Sequence, residues 1–317
     1  MNEPIDTSIE TIPLGKTDIQ ITPLGTGAWQ WGDSSFWGYG RTYQEADVQA
    51  AFEASLEAGI RFFDTAEGYG RGKSERLLGK FMHASEQTMI VATKYLPYPW
   101  RLRKKALVNA LRQSLERLGL PTVDLYQIHW PIPPLPVETW ADALADAVEA
   151  GLARAVGVSN YNEEQMRRTH LALSKRSIPL ASNQVEYSLL NRKVETNGLL
   201  QACQELGVTL IAYSPIAKGI LTGKYTPEKT PPGMRGYNYN KNRLAKVQPL
   251  IRLMRETGQA HGGKSPAQVA LNWLMCKGAV PIPGAKNARQ VQENAGALGW
   301  RLTDEEVAAL DEASSKL

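Results

Sequence analysis

Short apolar, β-branched runs recur along this chain at nearly even intervals, and that recurrence narrows the folds it can adopt. The runs are IRFFDTA (60–66), MIVATKY (89–95), VDLYQIHW (123–130), ARAVGVSN (153–160), ASNQVEY (181–187), VTLIAYSP (208–215) and AVPIPG (279–284). Helical patterns lie between most of them, as in EADVQAAFEASLEAG (45–59), SERLLGKF (74–81), VETWADALADAVEAG (137–151) and NGLLQACQELG (197–207). Several end in glycine, which readily takes the left-handed turn that stops a helix. Measured between polar residues near the strand ends, the spacing is 30 residues from Asp64 to Lys94, 35 to His129, 30 to Ser159, 25 to Gln184 and 29 to Tyr213. A strand–helix pair needs roughly 30 residues. With TPLGTGAW (22–29) as a first strand the count reaches eight. The expected fold is therefore α/β, a closed parallel (β/α)8 TIM barrel, with residues 1–317 as one domain and the active site at the C-terminal end of the barrel.

The strands are apolar on both faces, as parallel strands covered by helices should be. A doubly wound sheet is the alternative, and it would want G-x-G-x-x-G after the first strand; LGTGAWQWG does not supply it. The interval from Tyr213 to Ile282 is 69 residues and holds an insertion, 217–243, rich in Gly, Pro and Asn. A loop this long in a compact domain is usually functional.

Composition excludes several other classes. Apolar residues make up 43% of the 317 and charged residues 21%, and the net charge is +4 from 36 basic and 32 acidic side chains. The charges are dispersed. RLRKK (101–105) is the densest basic cluster and reads as a solvated helix start rather than a nucleic-acid patch. No apolar run approaches the length of a membrane span. The N-terminus, MNEPIDTSIETIPLG, has the pattern of neither a signal nor a transit peptide. Two isolated cysteines, Cys203 and Cys276, fit a reduced cytoplasmic protein. GYGRGKS (68–74) fails as a phosphate loop because Glu67 stands where glycine is required, and the four histidines show no metal spacing.

In a barrel, polar residues at the C-terminal strand ends face the active site. Here these are Asp64, Lys94, His129, Ser159, Asn160, Gln184 and Tyr213. Asp64 and Lys94 fall on adjacent strands and can pair. Tyr69 follows in the Gly-rich loop EGYGRG. A phenol near pKa 10 is a poor acid at neutral pH, and a neighbouring ammonium is expected to lower that value. Tyr69 could then give a proton to a carbonyl oxygen, with His129 hydrogen-bonding the same atom. Each residue alone has a plainer reading: a structural ion pair, a core histidine, a loop aromatic. All four plainer readings would have to hold in one place.

At these residues the sequence resembles the aldo-keto reductase family. The resemblance is carried by FFDTAEGYGRGKSERLLG (62–79), VATKY (91–95), VDLYQIHWP (123–131), GVSNY (157–161), NQVEYSLLNR (183–192), AYSPIAKGILTGKY (212–225) and VPIPGAKNARQVQENAGA (280–297). It covers nearly the whole chain. The pattern is nearest the bacterial and plant branch that also holds pyridoxal reductases and potassium-channel β-subunits.

The resemblance implies NADPH-dependent reduction of an aldehyde or ketone, with Tyr69 as general acid and Lys94, Asp64 and His129 completing a tetrad. It implies that Ser159, Asn160 and Gln184 bind the nicotinamide carboxamide and that Tyr213 stacks on the ring. Ser214, Ile216, Gly219, Leu221 and Gly223 would contact the pyrophosphate. In the segment 282–297, Gly284, Lys286, Asn287, Gln290, Gln292, Glu293 and Asn294 would hold the adenosine end. Many members carry Lys-Ser after the last strand to grip the 2′-phosphate; Gly284–Ala285 stands there instead, so Lys286 and Arg289 would supply the positive charge. A cation there favours NADPH over NADH, because the extra phosphate carries nearly two negative charges.

Aromatic residues crowd the loops expected around the site, and Trp29, Trp31, Tyr98, Trp100 and Trp130 are taken as the substrate pocket. The expected partner is a small carbonyl compound, with no metal, nucleic acid or membrane, and the protein is expected to be a monomer, with an oligomer as the alternative. A cofactor-binding regulatory subunit of the channel-β type and a pyridoxal reductase remain as alternatives. A non-redox barrel such as an isomerase does not explain Ser159, Asn160, Gln184 and Tyr213 together.

Overall fold

The computed structural model describes residues 10–232 and 234–317; most of the N-terminal stretch read above for a leader, 1–9, lies outside them. Eight parallel strands form one curled sheet: β1 (Thr26–Gly27), β2 (Phe62–Asp64), β3 (Ile90–Tyr95), β4 (Val123–Ile128), β5 (Ala153–Ser159), β6 (Leu180–Glu186), β7 (Thr209–Tyr213) and β8 (Val280–Pro281). Each pairs with its neighbour in chain order. The first and last also meet. Gly27 bridges Gly284, Gly25 N–H donates to the Pro281 carbonyl at 3.0 Å, and Gly27 N–H to the Pro283 carbonyl at 3.1 Å. The sheet thus closes on itself as a (β/α)8 barrel. The two closing strands are only two residues long, shorter than the runs 22–29 and 279–284 suggested. Pro23, Pro281 and Pro283 have no N–H for a ladder. Gly27 fits because a Cβ there would stand 2.8 Å from the Ile282 carbonyl oxygen.

Around the sheet run α1 (Glu45–Glu57), α2 (Lys73–His83), α3 (Lys104–Leu118), α4 (Val137–Glu149), α5 (Glu163–Ser174), α6 (Leu199–Leu206), α7 (Lys241–Ala260), α8 (Pro266–Cys276), α9 (Ala288–Ala295) and α10 (Asp304–Ser315). The apolar stripe that α2 turns inward is Leu77, Leu78, Phe81 and Met82. Reciprocal capping by Asn162 with Gln165, Ser265 with Gln268 and Thr303 with Glu306 fixes where α5, α8 and α10 begin. Trp140 and Trp273 are fully buried between helices and sheet. Truncating a buried aromatic of this size to alanine costs about 3–5 kcal/mol. The expected loop 217–243 is partly helical: it holds a 3₁₀ segment (Ala217–Thr222) and a short helix (Met234–Asn238), and α7 begins before it ends. Among the described residues no helix is long and apolar enough to cross a membrane.

The barrel interior changes character along its axis. At the N-terminal end Phe62, Ala92, Leu125, Ala155, Ala181, Ile211 and Val280 pack together with Leu14, Ile19 and Ile21. Those last three come from an antiparallel hairpin, Ile12–Pro13 with Gln20–Ile21, that plugs this end. Gly15 N–H donates to Thr209 Oγ1 at the foot of β7, 2.7 Å away. At the C-terminal mouth the barrel opens into a cavity.

Candidate active site

Asp64 ends β2, and Lys94 lies on β3 one pleat above the residue paired with it. Lys94 is fully buried, and its three N–H donors are all committed: to Asp64 Oδ1 at 2.5 Å, the Thr65 carbonyl at 2.8 Å and Tyr69 Oη at 3.4 Å. Tyr69 opens a 3₁₀ turn (Tyr69–Gly72) beyond β2. Gly70, at φ 54°, lets that turn press against the loop after β1, where a Cβ would stand 2.6 Å from the Gly32 carbonyl oxygen. His129 follows β4, its ring edge-on to Tyr69 with centroids 5.7 Å apart. Its Nδ1 is buried without a hydrogen-bond partner.

These surroundings decide protonation. Burial pushes the Tyr69 phenol well above its usual range, and the Asp64 charge adds to the rise. This corrects the expectation of a lowered value: Lys94 touches the phenol only at 3.4 Å, and its charge is already paired by Asp64. Tyr69 therefore keeps its proton at neutral pH, the state a proton donor starts from. Burial pulls Lys94 down while Asp64 opposes that fall. Burial, helped by the Lys94 charge, lowers His129 to about 3. His129 is then a neutral imidazole across the physiological range.

The next strand ends form a second polar array. Gln184 donates from Nε2 to Asp64 Oδ2 at 2.8 Å. Ser159 Oγ donates to the Gln184 carbonyl, also at 2.8 Å. Asn160 stands at φ 62°, rare outside glycine. From there its Nδ2 donates to the His129 carbonyl and Ser159 Oγ, each at 3.0 Å, and its Oδ1 accepts from Tyr213 Oη at 2.9 Å. Gln127, not singled out by the sequence, is fully buried below this layer and donates to Asp64 Oδ2 at 3.4 Å. The parity of VDLYQIHW held the signal, since Gln127 and His129 point the same way.

Above both arrays opens a cavity of about 640 Å³. Asp64, Tyr69, His129, Ser159, Asn160, Gln184 and Tyr213 all reach its wall. So do Ser214, Ile216 and Gly219 from the stretch after β7, and Gly284, Lys286, Gln290, Glu293 and Asn294 from the stretch after β8. Lys218 and Lys224 join them, which sequence reading left out. Four expected contacts lie off the wall. Leu221 is fully buried in the core, and Gly223 caps the 3₁₀ segment against Ile251 and Arg255. Asn287 uses its side chain to cap α9, and Gln292 points to solvent. Arg289 is likewise exposed. Among the described residues no group of three or more His, Cys, Asp or Glu side chains is placed to hold a metal ion.

The model of the aldo/keto reductase family matches residues 23–315. The chain belongs to the aldo-keto reductase family. It is 43% identical to the chloroplastic pyridoxal reductase of Arabidopsis thaliana, over 94% of this chain and 84% of that protein. It is 34% identical to the L-glyceraldehyde 3-phosphate reductase of Escherichia coli O157:H7, over 94% of this chain and 90% of that one. Among solved structures it resembles the thermostable aldo-keto reductase Tm1743 in complex with the inhibitor epalrestat, with a TM-score of 0.77 and 31% identity over 96% of this chain and 99% of that one. The glycerol dehydrogenase AKR11B4 of Gluconobacter oxydans gives a TM-score of 0.85 with 27% identity over 98% and 96%. The protein is accordingly an oxidoreductase of the carbonyl-reducing, nicotinamide-dependent kind.

Aldo-keto reductase chemistry needs a wall for the substrate, and here the structure divides the five expected aromatics. Trp29, Tyr98 and Trp130 line the cavity, while Trp31 and Trp100 do not. Trp31 is fully buried against Phe63 and Phe81, with its indole N–H on the Ala285 carbonyl at 2.9 Å. Trp100 is 77% exposed and stacks flat on Tyr98 from the outside. Trp37 lines the cavity and meets Trp29 edge-on at 5.3 Å. Arg101, read from the sequence as a solvated cation, instead grips both oxygens of Glu67 at 2.9 and 3.0 Å. That pair ties the Tyr69 loop to the loop bearing Tyr98.

Proposed function

We propose that this protein reduces aromatic or otherwise apolar aldehydes and ketones with NADPH, Tyr69 giving the proton. The observation that carries the reading is the hydrogen-bonded chain Asp64–Lys94–Tyr69, ending at a cavity that His129 also faces. A bound dihydronicotinamide supplies hydride to the carbonyl carbon. The protein's own groups do the rest. Tyr69 passes its phenolic proton to the developing alkoxide. Lys94, held by Asp64, stabilises the phenolate left behind. Neutral His129 orients the carbonyl oxygen.

The residues present fit a dinucleotide. Asn160 and Gln184 bring amide groups to one end of the groove, beside the ring of His129. Beyond them Ser214, Ile216, Lys218 and Gly219 line the cavity, and the Lys218 side chain brings a cation to that stretch of wall. Lys286 on the same wall supports NADPH over NADH. Tyr213 would stack on the ring, with Ser159 beside it.

Pyridoxal is a specific candidate substrate, on the strength of the relative that is 43% identical. We further take the protein to act as one barrel domain, monomeric and cytoplasmic, in keeping with two free cysteines. The test is NADPH oxidation with a panel of aldehydes that includes benzaldehyde and pyridoxal, followed by loss of nicotinamide absorbance. Tyr69→Phe should lower kcat/KM by roughly 10²–10⁴-fold, the range of general acid catalysis, and leave NADPH affinity within about twofold. Full activity in that variant would remove Tyr69 from the mechanism. NADPH binding without turnover of any carbonyl would favour a regulatory role.

A further inference from the structure

The loop after β1 and the segment after β8 make up separate parts of the cavity wall, yet they are fastened together. Trp31 Nε1 donates to the Ala285 carbonyl at 2.9 Å. Gly284 abuts the Gln30 side chain so closely that a Cβ would overlap it. Lys286 completes the fastening: its ammonium donates to the Trp37 carbonyl at 2.8 Å and lies 5.2 Å from the Trp37 ring centroid and 4.5 Å from that of Tyr43. Trp37 in turn meets Phe36 edge-on at 4.9 Å and Trp29 at 5.3 Å. Trp29 lies 6.2 Å from Tyr69. A continuous line of contacts thus runs from Lys286 to the ring of the proposed acid.

We propose that Lys286 determines substrate specificity by latching Trp37, and that the cofactor's ribose 2′-phosphate competes with Trp37 for the same ammonium. The second half rests on the reading of Lys286 as the phosphate ligand given above. A dianionic phosphate is a stronger acceptor for an ammonium than a neutral carbonyl. A ligand shifts a conformation only through such a difference in affinity. Gly32, Gly38 and Gly40, all at positive φ, give the loop points at which to yield. The wall against which an aromatic aldehyde packs then has two settings: latched without a 2′-phosphate, released with one. Lys286 is a positioning residue in this scheme and takes no part in proton or hydride transfer.

The test measures binding without turnover, using 2-naphthaldehyde with the oxidised cofactors, which cannot reduce it. Its dissociation constant is read from quenching of protein fluorescence in the NAD⁺ and NADP⁺ complexes of the wild type, Lys286→Met and Lys286→Arg. In the wild type the two complexes should differ by about fivefold or more. In Lys286→Met the difference should fall below twofold, and the constant in the NAD⁺ complex should itself shift by at least threefold. Lys286→Arg, which keeps the charge, should restore most of the difference. An unchanged NAD⁺-complex constant in Lys286→Met, with NADP⁺ bound more weakly, would overturn the latch and leave the phosphate reading standing. A shifted NAD⁺-complex constant with unchanged NADP⁺ affinity would overturn the competition and the phosphate reading, and leave the latch. Equal constants in the two wild-type complexes would overturn the competition outright.

Discussion

Strand β3 carries two neighbouring polar residues into two different buried ion-pair networks. Lys94 points into the barrel, where it meets Asp64, Thr65 and Tyr69. Thr93 points outward and donates to Glu75 Oε1 on α2 at 2.6 Å, while Arg117 of α3 binds Glu75 Oε2 at 2.5 Å. Both carboxylates are essentially fully buried. By burial and pairing alone the two clusters look alike. They differ in what is left over. The outer cluster closes on itself: Arg117 also reaches Ser114 Oγ, and Thr93, Glu75 and Arg117 take no part in the wall of the cavity. The inner one ends on a phenol at a cavity, beside a histidine nitrogen without a partner. A buried ion pair is therefore weak evidence of a site, and an unfinished network beside a cavity is stronger evidence.

The largest expected effect separates the two directly. Lys94→Met should lower kcat/KM by roughly 10²–10⁴-fold, because the phenolate loses its stabilising charge. Glu75→Ala should cost about 3–5 kcal/mol of stability, as breaking a buried pair does, while kcat/KM per folded molecule stays within about threefold. Steady-state kinetics and denaturant unfolding on both variants check this. A Glu75→Ala protein that is stable but inactive would collapse the distinction.

The pH response sharpens the same contrast. Folding lowers His129 from 6.5 to about 3, through burial and the Lys94 charge. The unfolded chain therefore binds a proton there that the folded one refuses. The associated stability is present above about pH 6.5 and is lost as the pH falls toward 3. The melting temperature should fall with acidification over that window, and less steeply in His129→Gln. Between pH 5 and 8, kcat/KM should show no imidazole titration. A break near 6.5 that vanishes in His129→Gln would mean that the imidazole titrates while the enzyme works.

What the sequence could and could not show follows from the same parity. One polar residue ending each apolar strand is unusual enough to be seen, and that pattern picked out Asp64, Lys94, Ser159 and Gln184. Glu75 stayed hidden because SERLLGKF reads as an ordinary amphipathic helix, and nothing local says that its carboxylate meets Arg117 from α3. The tryptophans failed for a related reason. Trp29 and Trp31 are two residues apart in a loop, where no period tells inward from outward, and contacts with Phe63, Phe81 and the Ala285 carbonyl, all distant in sequence, hold Trp31 in the core. The positive φ of Asn160 and Ser214 was equally invisible, since most asparagines and serines stay at negative φ and nothing in the neighbouring sequence marks these two as exceptions.

Gln127 supplies the smallest effect and the finest test. It shares the inward face of β4 and lies opposite Lys94 in the strand register. Its amide donates to Asp64 Oδ2 at 3.4 Å and accepts from Ser182 Oγ at 3.4 Å. Both contacts are long, so each is worth no more than an ordinary hydrogen bond, about 0.5–1.5 kcal/mol. If Gln127 helps to aim Asp64 at Lys94, Gln127→Leu should lower kcat by roughly two- to tenfold and leave KM for the aldehyde nearly unchanged. Its melting temperature should shift little, because leucine fills the space and removes both donor and acceptor. Gln127→Glu should fare worse in kcat, since a second carboxylate would compete for the Lys94 ammonium. A Gln127→Leu enzyme with normal kcat but a markedly lower melting temperature would place Gln127 with Glu75, as a polar residue that holds the barrel together and leaves the chemistry alone.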